Sequence, residues 1–183
     1  MTNSKFSDFV KKQQPDNNKE EEAVFDPNKQ LEEWFHYIDV LYKKINSFMK
    51  TYIDDGMATI SYNNITLTED FSGSYQIRQM LLKIGRSTIT FTPIATMLIG
   101  AKGRVDVQGP SGGARLILMN EKVTNASQLI TVRVSRPGDA PPALPKKQDI
   151  NWAWKIISSP PKMDFIDLTE DSLSDMILTV AKS

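Results

Sequence analysis

The stretch "DPNKQLEEWFHYIDVLYKKINSFMKTYIDDG", residues 26–56, restricts the fold more than any other part of the chain. Leu31, Trp34, Phe35, Ile38, Leu41, Tyr42, Ile45, Phe48, Met49, Tyr52 and Ile53 recur in steps of three and one. That spacing puts them on one broad face of a helix. Asp26 suits the N-cap, Pro27 the first helical position and Gly56 the C-terminal stop. So wide and aromatic a face must be covered. Packing across a sheet is the expectation, and a coiled-coil or dimer seam is the alternative.

After residue 56 the apolar period falls to two. "MATISYNNITLTED" reads as two short strands around Asn63-Asn64, a pair that tolerates positive φ. "YQIRQMLLKIG" and "STITFTPIATML" read as further strands. In "GRVDVQ", Val105 and Val107 face one way, and Arg104, Asp106 and Gln108 the other. "PSGG" (110–113) is a turn, "ARLILMN" returns, and "SQLITVRVS" repeats the alternation. "WAWKIISS" places Trp152 and Trp154 on one side, and "MDFIDLT" reads as another strand. Thr169 caps a last helix bearing Leu173, Met176, Ile177 and Val180 on one face. The fold class expected is α+β. A long N-terminal amphipathic helix packs on a curved antiparallel sheet of roughly six to eight strands, with a short C-terminal helix.

Residues 1–25 are polar and charged apart from Phe6, Phe9 and Val10, and read as a flexible tail. Residues 26–183 form one domain, with a Pro-rich loop at 136–149. Within that loop "PPALPKK" fits the Pro-x-x-Pro-x-basic form read by aromatic grooves such as those of SH3 domains.

At 183 residues and 40% hydrophobic content the chain suffices for one core. Lysine plus arginine (22) equals aspartate plus glutamate (22), so any basic patch is local. The absence of cysteine excludes disulfides, thiolate nucleophiles and zinc–thiolate sites. No apolar run reaches membrane-helix length. A soluble, cytoplasmic protein without a membrane partner is the expectation.

"LIGAKGRVDVQG" (98–109) raises the question of phosphate binding. A Walker loop needs four residues between its glycines and then Gly-Lys-Ser/Thr. Five separate Gly103 from Gly109, and Pro110 follows. Gly100 and Gly103 make only Gly-x-x-Gly, which also fails the dinucleotide pattern. "LIGAKGRVDV" resembles the Ile-Gly-x-x-Gly loop of KH domains over about ten residues. The resemblance implies a clamp on four nucleotides of single-stranded nucleic acid. That loop joins two helices, whereas strand-like segments flank it here. The favoured reading is a hairpin, with Arg104 and Asp106 on one strand face.

The lone histidine, His36, lies in the first helix, and Gly-x-Ser-x-Gly is absent. Asp54-Asp55, Glu69-Asp70, Asp164, Asp167, Glu170 and Asp171 lack EF-hand spacing. No catalytic residue, metal ligand or cofactor is therefore assigned. The expected function is a non-catalytic protein–protein interaction module, of the kind found as immunity-like or accessory subunits of bacterial toxin or phage-defence systems. One alternative is a nucleic-acid accessory protein using a basic sheet face or the Gly-x-x-Gly loop. Another is a carboxylate- or metal-dependent enzyme. Lys102, Arg104, Arg115 and Arg133 are the candidate contacts for a partner or nucleic acid.

Overall fold

A computed structural model of the protein describes residues 26–70, 72–95, 100–129, 150–158 and 163–181. Helix α1 runs Pro27–Asp54. The Asp26 carboxylate accepts the backbone N–H groups of Asn28 (3.0 Å) and Lys29 (3.3 Å), which no helical carbonyl reaches. Trp34, Ile38, Leu41, Tyr42, Ile45 and Met49 are buried along its apolar face. At the C-terminus Asp54 opposes the helix dipole, and Lys50 answers it at 2.7 Å in an exposed pair.

Seven antiparallel strands follow in chain order across one curved sheet that does not close into a barrel. They are β1 (Ala58–Glu69), β2 (Gly73–Ile84), β3 (Ser87–Ala95) and β4 (Ala101–Gly109), then β5 (Gly112–Asn120), β6 (Trp152–Ile157) and β7 (Phe165–Asp167). Helix α2 (Glu170–Ala181) ends the described chain. Neighbours in sequence are neighbours in the sheet, across short connections everywhere except the 31 residues between β5 and β6.

Both helices lie on the same face of the sheet, and two glycines of β4 seat them. A Cβ on Gly103 would fall 2.1 Å from the Trp34 ring of α1. One on Gly109 would fall 2.3 Å from the Val180 carbonyl oxygen of α2. Between them Val105 and Val107 are buried, as their alternation requires. Leu173, Met176, Ile177 and Val180 of α2 join Trp34, Ile38 and Leu41 of α1 in one core.

Where Asn63-Asn64 was expected to turn, β1 runs on as one strand of 12 residues. Its pairing with β2 is unbroken from Ala58↔Ile84 to Glu69↔Gly73. The chain reverses instead at Gly73, whose φ of 68° suits glycine. What breaks at Asn63-Asn64 is the phase of burial. Ile60 in the first half and Ile65 and Leu67 in the second all pack on the core. An odd step separates Ile60 from Ile65, so opposite faces of the ribbon are buried at its two ends. Among the described residues only β1 flanks β2 below Met80, because β3 pairs no further than Met80↔Phe91. A two-stranded ribbon twists more than a wide sheet, and twist turns the other face toward α1.

"SQLITVRVS" begins as a 3₁₀ turn, Ala126–Leu129, rather than a strand. The rest of it lies outside the described residues, as do the expected tail 1–25 with Phe6, Phe9 and Val10, and the loop 136–149. The sheet face away from the helices is not uniformly wet. Met119 and Lys155, on alternate positions to Leu118 and Trp154, are fully buried. Lys155 Nζ sits 2.6 Å from Asp167 Oδ1 but is not aligned for a hydrogen bond.

Tyr42 ties α1 to the sheet. Its hydroxyl donates to the Arg78 carbonyl at 2.7 Å, with the Phe91 carbonyl at 3.4 Å. Burial pushes the phenol above its ordinary value of 10.0. An acid whose folded pKa is raised holds its proton more tightly when folded. Stability should therefore be full below pH 10 and fall as pH rises beyond it. Tyr42→Phe should cost about 1–2 kcal/mol at neutral pH. It should also flatten the alkaline loss, which urea melts at neutral pH and above pH 10 would measure.

Candidate functional site

Of the three basic candidates among the described residues, the structure sets Lys102 apart from Arg104 and Arg115. A register shift between Ala101 and Gly103 bulges β4. Such a bulge re-aims the residue it displaces. Lys102 therefore reaches the α1 side of the sheet. Its Nζ lies 2.5 Å from Glu33 Oε2 and over the rings of Trp152 (4.9 Å) and Tyr37 (5.8 Å). A carboxylate and two ring faces hold the charge there. Arg104 points to the opposite face of the sheet. Its Nε and Nη2 each donate to Asp106 at 2.6 Å, and this pairing raises the guanidinium pKa. Arg115 is exposed on that outer face, directly across from Asp106. Arg133 lies outside the described residues.

The Gly-x-x-Gly segment is likewise placed by packing. Gly100 immediately precedes β4, and Gly103 lies inside it under Trp34. The two glycines do not join helices, as the KH-like loop requires. His36 is exposed, its ring 5.5 Å from that of Tyr37. Among the described residues no group of three or more histidine, aspartate or glutamate side chains is placed to hold a metal ion.

A feature absent from the sequence reading is a cleft of about 640 Å³ between the β4–β5 hairpin, the end of β6 and α2. It exists because strands of unequal reach are paired. Strand β6 leaves β5 after Leu116↔Ile156 and turns to β7 through Ile157↔Phe165. Strand β5 continues past that point, through Gly113, Ala114 and Arg115, with only β4 beside it among the described residues. Val107, Ala114, Ile156 and Met176 supply apolar floor, while Arg115, Asp175 and Thr179 stand at the exposed rim. Helix α2 is anchored beside it by the Ser111 N–H, which donates to the Val180 carbonyl at 2.9 Å.

An open seven-stranded antiparallel meander, with two helices on one face and a cleft at a step in the sheet, is the class these features define. Compared with protein-family models, curated proteins and solved structures, the chain matches none. No helix among the described residues is long and apolar enough to cross a membrane.

Proposed function

We propose that the protein is a non-catalytic interaction module that takes up an extended segment of another protein in the cleft beside β5. The step in the sheet carries this reading. Gly113–Arg115 lie beyond the last β6 partner, so their outward main-chain groups face the cleft. An extended segment laid there would pair with β5 as an added strand. An apolar side chain of the segment would then rest on Val107, Ala114, Ile156 and Met176. Asp175 and Arg115 at the rim offer both signs of charge, which suits register more than a strongly charged ligand. The balanced net charge and the self-paired Lys102 and Arg104 favour a protein over a nucleic acid.

The test is comparative capture from the native host with quantitative mass spectrometry. The bait is either the wild-type chain or Asp175→Arg/Thr179→Arg. Both positions are exposed on α2 one turn apart, so the fold should survive while the mouth is blocked. A protein enriched by the wild type should fall about tenfold or more with the blocked variant. Equal capture by both baits would remove the cleft from the function. Tight binding of mixed single-stranded RNA or DNA, lost on Lys102→Ala/Arg115→Ala, would favour the nucleic-acid reading instead.

A further inference from the structure

We infer that the cleft beside β5 also takes the chain's own segment Asp8–Lys11 as an added strand, so that a partner enters by displacing it. The inference rests on the added-strand reading of the cleft given above.

The residues around the cleft specify what such a strand must carry. Opposed residues of paired strands share a face of the sheet. Ala114 packs on the core side, paired with Val107 of β4, and Met176 of α2 lines the same space. Because Ala114 is small, the residue across from it can be large and apolar. Arg115 lies on the other face. Asp106, its neighbour in β4, is already held by two donors of Arg104. Arg115 and Asp175 take part in no ion pair among the described residues. They call for an acidic and a basic complement respectively. Strand β6 runs antiparallel to β5, and a segment laid in line with it runs the same way. Its order is therefore fixed: acidic opposite Arg115, large and apolar opposite Ala114, one residue opposite Gly113, then basic on the α2 side.

Within residues 1–25, which lie outside the described part of the chain, this order occurs once, as Asp8-Phe9-Val10-Lys11. Asp8 then faces Arg115, and Phe9 rests on Val107, Ala114, Ile156 and Met176. Val10 crosses Gly113, where no side chain obstructs it, and Lys11 turns to Asp175 on the same face as Phe9. The chain is long enough for this. From Asp26 along α1 to Trp34 is about 12 Å, and from Gly103 beneath that ring along β4 to Gly109 is about 20 Å. With the spacing of two strands and the depth of the helix layer, the far end of the cleft stands about 35 Å or less from Asp26. The stretch from Lys11 to Asp26 spans up to about 50 Å.

The chain has no cysteine, so two introduced thiols report on a single contact in the full-length protein. Asp8→Cys/Arg115→Cys tests the opposed pair. Asp8→Cys/Thr88→Cys is the control, because Thr88 is exposed on β3 two strands away. Under mild oxidation the first pair should close within one chain about tenfold or more faster than the second. Equal rates overturn the proposal, as does closure only between chains. Amide exchange across Gly113–Arg115 should be about tenfold or more faster in Phe9→Ser than in the wild type, and unchanged exchange also overturns the proposal. Arg115→Glu should speed exchange at Gly113 and Ala114, and Asp8→Arg/Arg115→Glu should slow it again. A reversed pair that restores nothing overturns the register. These readouts follow the chain's own segment, whereas the capture experiment follows another protein, so the failure of one is distinct from the failure of the other.

Discussion

Trp34→Ala is expected to lower the unfolding free energy by about 3–5 kcal/mol, the upper range for truncating a buried aromatic. Trp34 is 2% exposed, lies flush on the Gly103 backbone and sits 6.2 Å from the Trp154 ring. Removing it opens a cavity where α1, β4 and β6 meet, and a rigid sheet cannot collapse to fill it. Its buried indole Nε1 meets hydrogen-bond geometry with no group among the described residues. Trp34→Phe therefore deletes an unsatisfied donor along with some volume, and should cost less than half as much. Chemical denaturation of the two variants checks both statements. An alanine variant that loses less than about 1 kcal/mol would mean that α1 is not seated through this ring.

Gly103→Ala is expected to be nearly as damaging, although it adds one methyl group. The new Cβ would meet three Trp34 ring atoms at 2.1, 2.8 and 2.9 Å, so the helix or the strand must move. Overpacking of this kind costs about 1–3 kcal/mol and sometimes more, and we expect the top of that range. The penalty belongs to a pair of residues. In a Trp34→Leu background, Gly103→Ala should be milder by about 1 kcal/mol or more, a coupling that a double-mutant cycle reads directly. Equal penalties in both backgrounds would show that Gly103 serves something other than the seat of α1. This glycine is half of the Gly-x-x-Gly that invited a nucleic-acid reading. In the folded chain its lack of a side chain is accounted for by a tryptophan.

Much of the fold was legible because it is written in local periods. The α1 stripe, the Asp26 cap and the alternation of Val105 and Val107 each depend on residues a few positions apart. So does the pairing of Arg104 with Asp106 on one strand face. One misreading was also local. Asn63-Asn64 combines turn-type residues with a break in alternation, and a hairpin and a strand that changes its buried face look identical in one dimension. Lys102 and Arg104 stand two apart, which puts them on one face of an ideal strand. One displaced residue at the bulge parts them.

The sequence by itself determined most of the elements, their order and which face of most of them is apolar, because helix and strand periods are properties of adjacent residues. The tertiary structure alone decided which surfaces those faces meet. It paired Lys102 with Glu33, set Gly103 beneath Trp34, and ended the β5–β6 ladder at Leu116 so that a cleft opens beside α2. The physical reason is range. A period is carried by neighbours in the chain, whereas a bulge, a seat for a ring or a step in a sheet depends on segments brought together only when the core closes.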